Sequence, residues 1–514
     1  MQLIVKKTKN RIKITSEDPG LLNFIRRRMT VKNPNYRFTP FGQEEMSCIS
    51  PTFTFMNGLL FDVLKEARLY DPTVEINLGD VKSIAVPFSI DIDELVPPEN
   101  SEFIYRDYQE DSIRRGLKFG RGIFELATSA GKSLIIYGLI KNIWKYTDKK
   151  TVLVLVPNVQ LVTQMAKDFI NYGCDPSIIC KFTATIERKV SPIAEIIVSN
   201  RSWLTKHDKE LPDIDILIID EAHMMSDTGS QTFKMASKLK TEVRYGFTGT
   251  MPEWAIAKWN VIGVTGQILK IKRARELQDL GHVAQTKIVA VRFNHHEKKP
   301  QTDPELLQLL AMARAEKNDD AVGVIKLEIA KARFPTEWRF IEDCDFTNQF
   351  MLKMMAQFDG NTIMLYDHIE HGNGMKEYLE SIAPDRQVFL IDGSTSIAYR
   401  EMVRETMEKD NNCFLLGNSK CIAVGINIKN INNVAFGFSS GMAASKVIQS
   451  IGRGLRLKEG KTYVRIIDFY HELRYSQAHF TERLKLYAKH YGINLSNIVH
   501  KAIDVHYGNE LSNL

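Results

Sequence analysis

The octet Leu126-Ala127-Thr128-Ser129-Ala130-Gly131-Lys132-Ser133 sets small residues, a lysine and a hydroxyl between a β-like run and an amphipathic stretch, Leu134 to Trp144. Small side chains at a helix start let backbone N–H groups converge on phosphate oxygens, and the helix dipole favours an anion there. On this reading the segment Thr128, Ser129, Ala130 and Gly131 cradles the phosphates of ATP. Lys132 then neutralises the β and γ phosphates, and Ser133 ligates Mg²⁺. Leu126 stands where the general pattern has its first glycine. Asp220 and Glu221 follow the apolar run Ile216 to Ile219, so two carboxylates sit at the C-terminal end of a buried strand, where open α/β sheets bind ligands. Asp220 would hold Mg²⁺ through water while Glu221 orients and activates the attacking water. A third group, Gln449, Arg453 and Arg456, puts two guanidinium forks on one helix face, suited to spread phosphoryl charge. With the loop and the arginines on different domains, the site would be complete only when a cleft closes, coupling hydrolysis to domain motion.

These groups need strands that end at one edge of a sheet. Between residues 120 and 250 short apolar runs alternate with amphipathic stretches, the pattern of parallel strands with crossover helices. Strands are expected at Ile123 to Leu126, Val152 to Val156, Glu195 to Val198, Ile216 to Ile219 and Val243 to Phe247. A second series is expected at Thr362 to Tyr366, Val388 to Ile391, Phe414 to Leu416, Val434 to Phe438 and Val464 to Phe469. Between them, Ile271 to Gly281 reads as a helix, Thr286 to Val291 as a strand, and Asp303 to Phe350 as mostly helical. The fold class is therefore α/β: two parallel-sheet domains in tandem behind a small α+β amino-terminal domain. The expected boundaries are 1–98, 99–295, 296–470 with the linker, and a helical carboxyl-terminal extension over 471–514. Thr481 to Tyr491 reads as a basic amphipathic helix that packs on the second domain.

The chain has 514 residues, 44% hydrophobic and 25% charged, which excludes disorder, collagen and coiled coil as descriptions of the whole. Its aliphatic runs are far shorter than the ~18–20 residues that span a bilayer. No membrane partner is expected, and the cytoplasm is the expected location. Six scattered cysteines with no CxxC pair suggest neither a zinc module nor a disulfide framework. Net charge is only +6 (68 basic against 62 acidic residues), but nine basic residues against two acidic ones fall between Met1 and Lys32. That cluster is either a solvated face or a phosphate-binding module.

Further segments complete an ordered set. Arg106-Asp107-Tyr108-Gln109 precedes the loop; Leu155-Val156-Pro157-Asn158, with Leu161 and Gln164, follows it; Ser199-Asn200-Arg201 and Phe247-Thr248-Gly249-Thr250 end later strands. In the second series come Leu365-Tyr366 with His368 and His371, Asp392-Gly393-Ser394-Thr395 through Arg400, and Ala423-Val424-Gly425-Ile426-Asn427. In order and spacing the chain resembles the superfamily 2 helicases over residues 100–470, and among them the phage UvsW-type branched-DNA helicases. The front of the chain, with Arg11-Ile12-Lys13-Ile14, Leu22 to Arg28, Tyr36-Arg37-Phe38 and Gly58-Leu59-Leu60, resembles the small nucleic-acid-binding domain of that group. The resemblance implies two RecA-like domains and an adenine contact at Gln109. It implies nucleotide contact at Gly425, nucleic-acid contacts at Pro157, Asn158, Gln164, Ser199, Asn200, Arg201, His368, Gly393 and Ser394, and coupling through Thr248 and Thr250. Asn427 stands where many relatives carry an acidic residue. His368 and His371 have metal-like spacing with no cysteine or carboxylate cluster evident beside them.

The function expected is that of an ATP-dependent, Mg²⁺-requiring helicase or translocase and a monomer, and the resemblance implies that it acts on branched or forked DNA in phage recombination and replication. Three alternatives stay open on the residues alone. One is an RNA helicase, since nothing in the motifs distinguishes the sugar. The others are the motor subunit of a restriction or nuclease complex, and a clamp or annealing protein in which ATP binding is regulatory.

Overall fold

The computed structural model describes residues 1–8, 11–33, 44–81, 86–183, 193–419, 421, 428–437, 451–452, 454–455 and 461–507. The chain divides into two units, Met1–Arg273 and Ala274–Leu514. Among the described residues no helix is long and apolar enough to cross a membrane.

The first unit opens with β1 (Gln2–Thr8), β2 (Arg11–Ser16), the ribbon strands β3 (Thr30–Lys32) and β4 (Glu45–Ser47), then β5 (Thr54–Met56) and β6 (Glu75–Asn77). The small sheet runs β5-β2-β1-β6, antiparallel except for the parallel pair of β1 and β6. Strict alternation in Arg11-Ile12-Lys13-Ile14 buries Ile12 and Ile14 and exposes Arg11 and Lys13, as period-2 geometry requires. The helix Pro19–Arg28 starts with proline behind the Asp18 cap and ends on Arg26, Arg27 and Arg28, cations placed at the negative dipole end. Lys6, Lys7, Arg11, Lys13, Arg27, Arg28 and Lys32 are exposed.

This module is welded to the sheet domain behind it. Its core, from Leu3 and Ile14 to Val63, is continuous with residues of the larger domain such as Leu217, Val261 and Ile262. At Gly58 the backbones touch: a Cβ there would lie 1.9 Å from the Ile262 carbonyl oxygen, and the nearest atom to a Cβ on Gly263 is Met56 Cβ at 3.0 Å. Gln267 donates to Asp62 (2.6 Å) and Lys7 pairs with Glu242 (3.1 Å).

The larger domain holds β7 (Arg121–Leu126), β8 (Val152–Val156), β9 (Ile179–Phe182), β10 (Ile196–Asn200), β11 (Ile216–Asp220), β12 (Val243–Thr248) and β13 (Ile268–Lys272). All seven are parallel, in the order β13-β7-β12-β11-β8-β10-β9. Val152 to Val156 is buried throughout, because helices cover both faces of such a sheet. Two strands were not anticipated, β9 and β13. The helix expected over Ile271 to Gly281 is confined to Ala274–Asp279.

The second unit contains β14 (Gln285–Asn294), β15 (Thr362–Tyr366), β16 (Gln387–Ile391), β17 (Cys413–Asn418), β18 (Asn433–Phe436), β19 (Tyr463–His471) and β20 (Val499–Asp504), again all parallel, ordered β16-β17-β15-β18-β19-β14-β20. Two expectations are corrected. The boundary placed near 295–300 falls at Arg273/Ala274, because β14 pairs with β19 and β20 rather than with the first sheet. Residues 471–514 are not only a helical extension: β20 adds a strand to the sheet beside β14. The helix Arg474–Tyr491 does pack on this sheet, through a buried Arg483–Asp468 ion pair at 2.7 Å. Between β14 and β15 the helices Pro304–Ala315, Asp319–Glu342 and Asp345–Ala356 fill the region expected to be helical.

Candidate nucleotide site

β7 is the second strand of its sheet, between β13 and β12, and its C-terminal end opens on the edge where ligands of such sheets bind. Leu126 is its last residue and fully buried; the position lacking glycine is thus strand interior, where an apolar side chain fits. The turn follows at once, with Ser129 and Gly131 both at φ +74°. For Ser129 that left-handed backbone is strained by ~1–2 kcal/mol. Gly131 caps the helix Lys132–Tyr146 with no side-chain hydrogen bond, leaving N–H groups at its start for a ligand. The Thr128 hydroxyl is buried with no hydrogen-bond partner among the described residues.

Asp220 ends β11, beside β12 and β8. Glu221 adopts φ +52°, which turns the chain sharply, and its Oε1 lies 3.7 Å from Lys132 Nζ. Its other oxygen lies 3.2 Å from His223 Nδ1, which in turn is 3.1 Å from Thr248 Oγ1. Thr248 donates to the Thr250 carbonyl (2.9 Å), and Gly249 sits against the phosphate loop, 3.7 Å from Thr128 Oγ1 to a Cβ built there. A polar chain therefore links Lys132 to the turn at Thr248 and Thr250. Burial, then the neighbouring Glu221 charge, pushes the Asp220 carboxyl up to about 6, and its Oδ1 has no hydrogen-bond partner. A carboxylate so placed, within the influence of Lys132 of the phosphate loop, fits a divalent cation that takes its remaining ligands from phosphate and water. Among the described residues no group of three or more ligating side chains could hold a metal ion.

Gln109 is brought to the loop and is 3% exposed. Its Oε1 accepts from the Arg106 N–H (2.9 Å) and its Nε2 donates to the Ala130 carbonyl (3.1 Å). Tyr108 donates to the same carbonyl at 2.8 Å, and Lys272 stands 5.6 Å from the Tyr108 ring centroid. In this arrangement Gln109 braces the phosphate loop, and its amide oxygen is spent on the backbone.

Apart from Gln164, within the helix Val159–Asn171, the residues expected on nucleic acid lie at or just after strand ends. β8 and β10 are neighbours, which brings Pro157 and Asn158 near Asn200 and Arg201. Asn158 caps the helix Val159–Asn171 through Leu161 N–H (3.0 Å), and Gln164 donates to Asp168 (2.7 Å). Ser199 is corrected: it is fully buried and donates to the Phe182 carbonyl at 2.7 Å, so its side chain fastens β10 to β9. Asn200 is 7% exposed with a buried, unpartnered Oδ1, and an Arg201 guanidinium nitrogen lies 2.9 Å from Met224 Sδ. In the second unit His368 follows β15 and pairs with Glu342 at 2.6 Å, with His371 3.7 Å from the same carboxylate. The carboxylate not evident in the sequence comes from the end of the helix Asp319–Glu342. Gly393 faces open space, while Ser394 donates to Asp392, whose Oδ1 also takes the Thr395 N–H and hydroxyl. Gly425, Gln449, Arg453 and Arg456 lie outside the described residues. Two residues at the site lie outside every motif singled out in the sequence: Tyr172, whose hydroxyl is 2.8 Å from Ser133 Oγ, and Lys272.

A phosphate loop and an acid pair on one edge of an all-parallel sheet, followed by a second all-parallel sheet, define a tandem RecA-like, nucleotide-hydrolysing motor. Residues 102–253 match the family described as "Type III restriction enzyme, res subunit", and residues 346–458 match the "Helicase conserved C-terminal domain"; the chain belongs to the superfamily 2 helicases. It is 23% identical over 407 residues to the ATP-dependent DNA helicase uvsW of Enterobacteria phage T4, covering 74% of each chain. It is 24% identical to a Type I restriction enzyme EcoAI endonuclease subunit of Escherichia coli, over 71% of this chain and 46% of that one. Saccharomyces cerevisiae Dbp5 bound to RNA and ADP BeF3 shares the fold, with a TM-score of 0.52 and 14% identity over 78% of this chain and 90% of that one.

Proposed function

We propose that this chain is an ATP- and Mg²⁺-dependent DNA helicase or translocase that unwinds and branch-migrates forked or four-way DNA, in phage recombination and replication. The observation that supports it most is the loop at Thr128 to Ser133 facing Glu221 across 3.7 Å, beside an Asp220 oxygen that has no partner. Lys132 and the helix N-terminus hold the β and γ phosphates, Ser133 and Asp220 hold the cation, and Glu221 orients the attacking water. The cation neutralises phosphate charge when bound. His223, Thr248 and Thr250 carry the state of Glu221 toward the strand ends at Pro157, Asn158, Asn200 and Arg201. Gln449, Arg453 and Arg456 supply charge to the transferring phosphoryl group, Gly425 contacts the nucleotide, and His368, Gly393 and Ser394 touch the nucleic-acid backbone. Contacts of that kind need no sequence specificity. The choice of DNA rests on the T4 relative, an ATP-dependent DNA helicase, and that of branched DNA on the resemblance of the ordered motifs and the amino-terminal segments to the phage branched-DNA helicases.

The test is steady-state ATPase at one stated salt concentration with no nucleic acid, single-stranded DNA, a four-way DNA junction and the matching RNA structure. Stimulation greatest with the junction is expected. Stimulation by RNA alone moves the substrate to RNA, and no stimulated turnover leaves a nucleotide-regulated clamp.

A further inference from the structure

Tyr172 belongs to none of the segments that carry the helicase resemblance. It closes the helix Val159–Asn171, and its hydroxyl oxygen lies 2.8 Å from Ser133 Oγ at the mouth of the phosphate loop. The placement is fixed from several sides. The ring is 8% exposed, packs edge-on against Phe103 at 4.8 Å between centroids, and leans on Tyr137 at 5.8 Å. Its carbonyl accepts the Asn100 N–H at 3.1 Å. The next residue, Gly173, takes φ +103°, and a Cβ there would meet Glu99 Cβ at 2.5 Å. The chain thus turns against the segment Glu99–Phe103 immediately after presenting the tyrosine.

A serine hydroxyl has one proton to donate and two lone pairs. A cation bound to one lone pair draws density from the oxygen and makes that proton a better donor, so a nearby acceptor strengthens the ligand. Tyr172 Oη stands within hydrogen-bond distance of Ser133 Oγ and can act in either sense. We infer that Tyr172 is a positioning residue for the cation site: its hydroxyl accepts the Ser133 proton and leaves the serine lone pairs for the divalent cation that accompanies the nucleotide. The inference rests on the nucleotide-site reading above. It assigns the metal-dependent share of nucleotide affinity to the Tyr172 hydroxyl and leaves the metal-free share to the loop backbone and Lys132.

The test uses the full chain and fluorescently labelled ADP, with affinity read by anisotropy in EDTA and across a Mg²⁺ titration. In Tyr172→Phe, which keeps the ring, the EDTA affinity is expected to stay at the wild-type value. The enhancement by Mg²⁺ should fall about threefold to tenfold, the span of one neutral hydrogen bond. In a Ser133→Ala background the same substitution should cause no further fall, since the two hydroxyls act as one unit. An unchanged Mg²⁺ enhancement in Tyr172→Phe overturns the inference, and so does an equal loss with and without Mg²⁺, which marks a packing role. Absence of ADP binding by the wild-type chain would instead remove the nucleotide site, and this inference with it.

Discussion

Replacing Gly58 by alanine adds one carbon where none fits. Its Cβ would lie 1.9 Å from the Ile262 carbonyl oxygen and 2.9 Å from both the Gly263 oxygen and the Gly266 nitrogen. All three obstacles are backbone at the end of the helix Ala255–Thr265, so no rotamer change can make room. The amino-terminal module must back away by about an ångström. That strains the Asp62–Gln267 bond and the packing of Met56 on Gly263. Overpacking typically costs ~1–3 kcal/mol and a buried polar group left unpaired a further ~1–3 kcal/mol, so the expected loss is about 2–6 kcal/mol in the first unit. The assay is urea unfolding followed by tryptophan fluorescence, with hydrogen exchange on residues 255–266. The midpoint should fall and protection of those amides should drop. Wild-type midpoint and protection together would refute the claim that the module and the motor domain form one body. On the same grounds, removal of residues 1–95 strips a face from the motor core instead of releasing an independent domain.

Glu221→Gln should retain nucleotide and DNA binding while turnover falls about 10²- to 10⁴-fold; wild-type turnover would sink its role as the water-orienting group. Arg483→Leu leaves Asp468 buried with only Tyr487 as a hydroxyl partner. A charge stranded in this way typically costs ~3–5 kcal/mol, to be read from the urea midpoint of the second unit. His295 and His471 meet at 2.7 Å in the interior, and burial pushes His295 down to about 4 and His471 well below the ordinary 6.5. The unfolded chain binds protons near pH 6.5 that the folded chain refuses. Stability of the second unit should therefore be full above about pH 6.5 and decline toward pH 4; equal urea midpoints at pH 7.5 and pH 5 would contradict this.

The strands buried on both faces were legible because their apolar runs are uninterrupted: Val152–Val156 and Thr362–Tyr366 begin and end where expected. Of the strands at the sheet edges, β9, β13 and β20 were not, although β16 was. β20, Val499-His500-Lys501-Ala502-Ile503-Asp504, is largely exposed and polar, and only its pairing with β14 makes it a strand. β14 itself was visible, but its partners lie far along the chain, so it was assigned to the wrong domain. The loop and the acid pair could be placed from spacing because each follows a buried strand directly. Tyr172 could not, since its role depends on the end of one helix reaching the start of another. Ser199 misled for a related reason: a strand-end serine and a buried ladder serine look alike until β9 is known to lie beside it.

The position of β14 has a consequence for how the second unit is made. It is the first strand of that sheet to leave a ribosome, yet its two neighbours are synthesised last; the contact of His295 with His471 spans 176 residues. Closing such long loops is slow, and until β19 and β20 arrive β14 presents two unpaired edges, the form of exposed strand that recruits other chains. The helices from Pro304 to Ala356 and the block β15 to β18 must therefore assemble around a vacancy, and the last strands fill it. The arrival of β19 and β20, more than any local helix formation, sets the moment at which this half of the motor becomes a single cooperative structure.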